Sequence, residues 1–260
     1  MMLNVDAVKA FNDNYLWVLS QAGHPQACVV DPGDAEPVLR HLAANGLELA
    51  AILVTHHHAD HIGGIDRLLQ HAQVPVYGPV TPRIPQLTHP VQEGFTLALL
   101  GHRFKVLEVP GHTREHIAWV AAAGDGHTQL FCGDTLFAAG CGRMFEGTPP
   151  MMYASLQKLA ALPEDTLVYC AHEYTLGNLR FASAVMPNNP DVKERVAREQ
   201  SRREQDIPTV PAVLAIELKT NPFLRCAEPE VLTAAAQQQP GAALDPASVF
   251  GILRRWKDNF

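Results

Sequence analysis

Thr55-His56-His57-His58-Ala59-Asp60-His61-Ile62-Gly63-Gly64 places four histidines and one aspartate in six consecutive positions, 56 to 61. Imidazole and carboxylate are the usual ligands of zinc and other divalent first-row metals. Ala50-Ala51-Ile52-Leu53-Val54, just before it, is a short apolar run that reads as a buried strand. Ile65-Asp66-Arg67-Leu68-Leu69-Gln70, just after it, has helical spacing. The cluster therefore leaves a strand end and enters a helix, where α/β folds place their sites. Alternate side chains of an extended or turning loop face the same way, so His56 and His58 can reach one metal. Asp60 and His61 follow the turn and can face a second. Gly63 and Gly64 relieve steric limits where the loop meets the helix. A surface histidine run or an expression tag is the plain alternative. The run, however, is internal, interrupted by Ala59-Asp60, and flanked by strand and helix.

Working outward, Val5 to Val8, Tyr15 to Leu19 and Gln26 to Asp31 read as strands, and Glu36 to Asn45 as a helix stopped by Gly46. Asp31-Pro32-Gly33 closes the third strand. Further strands are read at Val74 to Gly78, Thr96 to Leu100, Phe104 to Val109, Ile117 to Ala121, Gln129 to Phe137 and Thr166 to Ala171. Three strand ends deliver a metal-ligating type: Pro110-Gly111-His112-Thr113, Gly133-Asp134 and His172-Glu173-Tyr174. Strands of hairpin and crossover type with helices between argue a sandwich of sheets flanked by helices. From about Thr175 the strands vanish and Pro187, Pro190, Pro208, Pro211, Pro222 and Pro240 punctuate helices. Asp191 to Gln205 reads as a solvated charged helix.

The Thr-His-x-His-x-Asp-His pattern resembles the signature of the metallo-β-lactamase superfamily. The chain as a whole, nearly end to end, resembles the hydroxyacylglutathione hydrolase (glyoxalase II) family. The resemblance implies an α/β (α+β) fold, the αβ/βα metallo-β-lactamase sandwich in residues 1–174, with a helical glutathione-binding domain in 175–260. It implies that His56, His58 and His112 hold one metal, that Asp60, His61 and His172 hold another, and that Asp134 bridges both together with a hydroxide. Zinc is the preferred ion, with iron and manganese as alternatives for such N/O ligands. Asp31 falls where the superfamily keeps an aspartate that orients the metal loop, and a turn-forming Asp before Pro-Gly explains it equally well. His57 would point away, and His24, His41, His71, His89, His102, His116 and His127 match no ligand position and are assigned to surface or core.

The implied reaction is hydrolysis of S-(2-hydroxyacyl)glutathione thioesters, typically S-D-lactoylglutathione, by the metal-bridging hydroxide. Asp60 and Asp134 take the catalytic roles. Three features resemble the family's glutathione contacts. One is Arg143 in Cys141-Gly142-Arg143-Met144-Phe145, with Phe145 where the family often has Tyr. The second is Tyr174, and the third is the tail Arg254-Arg255-Trp256-Lys257-Asp258, of which Arg254 and Lys257 share one helix face. Without the metal loops, that tail would read as a basic helix end complementing the macrodipole. A persulfide dioxygenase with mononuclear iron is the related alternative. A non-catalytic metal-stabilised scaffold would be expected to have lost ligands.

Composition narrows the partners. The 260 residues are 47% apolar, enough for a sizeable core, and carry a formal net charge of −7. That charge argues against nucleic acid as a partner. Five cysteines, odd in number and without a C-x-x-C pair, indicate a reducing compartment and no disulfide framework. No leader or membrane span is read, so the expectation is a cytoplasmic enzyme, monomeric, acting on a small-molecule thioester.

Overall fold

The computed structural model describes residues 3–122 and 126–260. By packing, the chain forms two compact units. One compact unit comprises residues 1–108 and 115–133, the other 109–114 and 134–260.

In the first unit, β1 (Leu3–Ala10), β2 (Asn14–Gln21) and β3 (Gln26–Val30) pair antiparallel. Helix α1 (Ala35–Asn45) crosses to β4 (Glu48–Leu53), which lies parallel to β3. The one-turn helix α2 (Ala59–Ile62) and α3 (Ile65–His71) lead to β5 (Val76–Pro79), and β6 (His89–Val91) completes the six-stranded sheet. A second, antiparallel array follows: β7 (Thr96–Leu99), β8 (His102–Glu108), β9 (Ile117–Ala121) and β10 (Gln129–Gly133).

Strand pleating explains which residues go where. On β2, Leu16 and Val18 join Val38 and Leu42 of α1 and Ile65 and Leu68 of α3 in one apolar layer. Tyr15, Trp17 and Leu19, on the opposite face, are buried as well. A strand buried on both faces is the mark of a sheet covered by helices on one side and protein on the other. Each such Leu, Ile or Val contributes roughly 1.5–3 kcal/mol by leaving water. The second array is tied to the metal loop: Trp119 Nε1 donates to Val54 O at 3.2 Å, and Ile117 N donates to Thr55 O at 3.0 Å. Helix α1 starts on Asp34, whose side chain accepts from Glu36 N, and stops, as its sequence predicts, at left-handed Gly46.

The second unit holds the hairpin β11 (Leu136–Phe137) and β12 (Gly140–Cys141), α4 (Pro149–Ala160) and β13 (Leu167–Cys170). Then come α5 (Thr175–Val185), α6 (Pro190–Glu204), β14 (Ala212–Val213), α7 (Leu214–Thr220), α8 (Pro229–Gln238) and α9 (Pro246–Asp258). Two expectations are corrected here. Strands do not vanish after Thr175, because Ala212 and Val213 pair antiparallel with Val168 and Leu167. Nor is α6 merely solvated: Arg195 and Glu199 are buried, and Arg195 pairs with Glu217 and donates to Thr220 Oγ1. A buried cation needs such partners, and charge periodicity alone does not reveal them. Among the described residues, no helix is long and apolar enough to cross a membrane.

Candidate active site

In the first unit the donor loop begins at Thr55, one residue past the buried run that ends β4. Asp31, at φ +51° in the turn after β3, organises it. Its Oδ1 accepts from Thr55 N at 2.7 Å; its Oδ2 accepts from Thr55 Oγ1 at 2.7 Å and from His61 Nδ1 at 3.0 Å. Because Thr55 gives its one hydroxyl proton to Asp31, its oxygen is left to accept from His56 Nδ1, 3.0 Å away. Both imidazoles are thereby fixed with Nε2 as the lone-pair nitrogen, the usual way a protein prepares histidine for a metal. Asp31 converges with His56 and His61, yet its oxygens already serve Thr55 and His61, so it orients rather than ligates. Of the two roles open in the sequence, the geometry supports the orienting one.

His56 Nε2 lies 3.1 Å from His58 Nδ1. With His56 Nε2 the acceptor, His58 Nδ1–H donates to it, and the two rings converge in a set of donors able to hold a metal ion. Asp60 sits on α2, accepts from Asn14 Nδ2 at 2.9 Å, and places Oδ2 3.6 Å from His61 Nε2. The loop needs its glycine: a Cβ on Gly33 would lie 1.8 Å from Asp60 O. His57 turns aside to Arg83, 2.9 Å away. His116, assigned from sequence to surface or core, is fully buried, stacks on His56 at 4.5 Å and 18°, and donates Nδ1–H to Ile117 O. No spacing rule links His116 to the loop, so its place there was not legible.

In the second unit, His112 Nδ1–H donates to Arg143 O at 2.8 Å, again freeing Nε2. Asp134 faces two imidazoles. Oδ2 is 3.4 Å from His112 Nε2, and Oδ1 is 3.3 Å from His172 Nε2. His172 is stacked on Tyr174 with ring centroids 4.7 Å apart. His112 and Asp134 open into a cleft of about 570 Å³, whose walls include Phe137, Phe145, Glu173 and Tyr174. Arg143, Arg254 and Lys257 line the same cleft. Arg254 is buried, donates to Cys141 O at 2.9 Å and to Asp258 Oδ1 at 3.0 Å, and lies over the Phe223 ring. The exposed Arg143 reaches the same Asp258 oxygen at 3.5 Å. Lys257 Nζ donates to Gly177 O at 3.1 Å; burial, then the Arg254 and Arg180 charges, lower its pKa. Arg143, Arg254 and Lys257 thus gather at one cleft, with Asp258 beside the two guanidinium groups. Phe137, Cys141, Glu173 and Asn178 also line the cleft and were not picked out as site residues in the sequence.

Residues 21–172 match the family model described as the metallo-beta-lactamase superfamily, and residues 173–260 match the one described as hydroxyacylglutathione hydrolase C-terminus. The hydroxyacylglutathione hydrolase of Nitrosomonas eutropha is 51% identical, with 100% of each chain covered. That of Alkalilimnicola ehrlichii is 54% identical over 99% of each. The chain belongs to the hydroxyacylglutathione hydrolase family. Solved structures agree on the fold. ETHE1 from Myxococcus xanthus superposes with a TM-score of 0.66 at 24% identity, over 99% of this chain and 98% of that one. TTHA1623 in a di-iron-bound form gives 0.59 at 26%, over 85% and 100%. This hydroxyacylglutathione hydrolase family member thus has the α/β metallo-β-lactamase fold with a helical C-terminal region, and its His/Asp donors fit divalent metal ions.

Proposed function

We infer that the chain hydrolyses S-(2-hydroxyacyl)glutathione thioesters, typically S-D-lactoylglutathione, to glutathione and a 2-hydroxy acid, the second step of methylglyoxal detoxification. The observation that carries the reading is that one cleft is lined by the donors His112 and Asp134 and by the cations Arg143, Arg254 and Lys257. Glutathione carries two carboxylates, and guanidinium and ammonium groups bind them by charge-assisted hydrogen bonds.

Two ions, preferably zinc, would be held by His56, His58 and His112 and by Asp60, His61 and His172, with Asp134 shared between them. The two imidazoles facing the two oxygens of Asp134 support that shared role. When bound, such ions acidify a water toward neutrality and polarise the thioester carbonyl. The chain's own residues do the rest. Asp31, Thr55 and Arg143 O hold three imidazoles in the tautomer that offers Nε2. Asp60 accepts a hydrogen bond from the attacking water and aims it. Arg143, Arg254 and Lys257 hold the peptide end of the substrate, and Tyr174 lines the cleft beside them. The leaving thiol has a pKa of ~8.5, so its thiolate departs without a general acid. Residues 175–260 serve as the glutathione-binding domain. The reduced, buried cysteines suit work in the cytoplasm, and we place the enzyme there as a monomer.

Lys257→Ala tests the substrate. Losing a charge-assisted contact of ~1.5–3 kcal/mol should raise KM for the glutathione thioester roughly tenfold or more, with little change in kcat. A small thioester lacking the peptide should be hydrolysed equally by variant and parent. Unchanged KM for the glutathione substrate would leave only an unspecified metallohydrolase.

A further inference from the structure

The donors of the metal loop differ in how firmly they are held. His61 is 1% exposed and fixed through Nδ1 by Asp31. His56 is buried, bonded to Thr55 and stacked on His116. The Asp60 side chain, by contrast, is 40% exposed. A carboxylate this exposed keeps its orientation through its hydrogen bonds, and an oxygen is well placed for a ligand in only some χ1 and χ2 wells.

Asn14 supplies one of those bonds from a buried position. It is the first residue of β2, after the turn at Phe11 to Asp13, and is itself only 6% exposed. The Asn side chain most often bonds within its own turn. Here Nδ2 instead donates at 2.9 Å to Oδ2 of Asp60, 46 residues along the chain. A carboxylate only accepts, so the amide orientation is fixed by its partner. The oxygen that Asn14 holds, Oδ2, is also the one that lies 3.6 Å from His61 Nε2, so the amide fixes the carboxylate where it faces that imidazole. The turn that presents Asn14 is itself constrained, since Phe11 adopts φ +51°, a left-handed conformation uncommon for a bulky residue. The hairpin register, Ala10 opposite Asn14, holds the amide in place from the other side.

The geometry points to Asn14 as a positioning residue: its amide fixes the Asp60 carboxylate and so retains one of the metal ions. The inference rests on Asp60 being a metal ligand, as set out under the proposed function. Hydrogen-bonding partners of ligating carboxylates set metal affinity, and losing one typically costs 10–100-fold.

The test uses the metal-loaded full chain, with zinc and a competing chelator as the probe. Asn14→Ala removes the donor, and Asn14→Leu removes it while filling its volume. Both should weaken one ion about 10–100-fold and leave the other at parental affinity. Both should lower kcat and leave KM for the glutathione thioester unchanged, because Asn14 does not line the cationic cleft. Asp60→Ala is measured alongside. If Asp60→Ala loses an ion while both Asn14 variants hold both ions as tightly as the parent, the inference is overturned and the ligand assignment stands. If Asp60→Ala itself keeps both ions at parental affinity, the assignment falls and the inference falls with it. Equal weakening of both ions with a raised KM would mean general loosening of the fold, and would also overturn the inference.

Discussion

The Nδ1–H of His112 donates to the backbone carbonyl of Arg143 at 2.8 Å. One residue therefore does two unrelated things. Its carbonyl orients the imidazole proposed as a metal ligand, and its side chain, 66% exposed, reaches into the cleft. Arg143→Ala separates them. The backbone bond survives, so metal content should stay at the parental value. An exposed cation contributes about 1 kcal/mol, so KM should rise roughly fivefold. Steady-state kinetics with metal analysis on the same sample reads both, and a loss of metal would show that the side chain supports the loop.

Asp134→Ala removes the carboxylate that faces both His112 and His172. Metal content and activity should fall together, with the loss of bound metal measured by elemental analysis. Parental stoichiometry with a parental rate would rule out its shared role. His57→Ala should leave both intact, since that ring is engaged with Arg83.

Asp31→Ala should be the most damaging change outside the ligands. It leaves Thr55 N, Thr55 Oγ1 and His61 Nδ1 without their buried acceptor. Orphaned buried donors cost ~1–3 kcal/mol each, so unfolding stability should drop by about 3 kcal/mol or more. Metal affinity should fall on the order of 10–100-fold as His61 loses its orientation. Denaturant melts and chelator competition check the two effects separately.

The thiols give a pH signature away from the metals. Burial pushes Cys141 up to about 11 and Cys28 and Cys170 up to about 12, from an ordinary value of 9.0. The thiolate is the reactive form, so a disulfide reagent at pH 8 should label these cysteines only after unfolding. The folded state holds these protons where the unfolded chain releases them. Stability is therefore full below pH 9 and falls as pH rises from 9.0 toward 11 and 12. Urea midpoints between pH 7 and 10 measure the decline.

What the sequence made legible was what is local or periodic. The doubly buried β2 announces itself in the unbroken apolar run Tyr15 to Leu19, and the end of α1 in Gly46. The candidate donors His112, Asp134 and His172 follow strand ends, and His56 to His61 form one local run after β4, so each is visible in the sequence around it. What stayed hidden depends on contacts between residues far apart. Nothing near position 116 says that its ring will stack on His56, and nothing near 14 says that its amide will meet Asp60. The buried Arg195–Glu217 pair hid inside a helix whose charges looked solvated, because charge periodicity does not show which face meets α7. The two-residue strand β14 was too short to carry an alternation of its own.

The central claim is hydrolysis of a glutathione thioester by metal-dependent chemistry. The direct measurement is the rate of S-D-lactoylglutathione hydrolysis by the purified protein, with metal content determined on the same sample. The account predicts turnover that tracks bound metal, disappears on chelation and returns on reloading with zinc. A fully loaded protein that leaves the thioester intact, or that instead consumes oxygen with a glutathione persulfide, would contradict it.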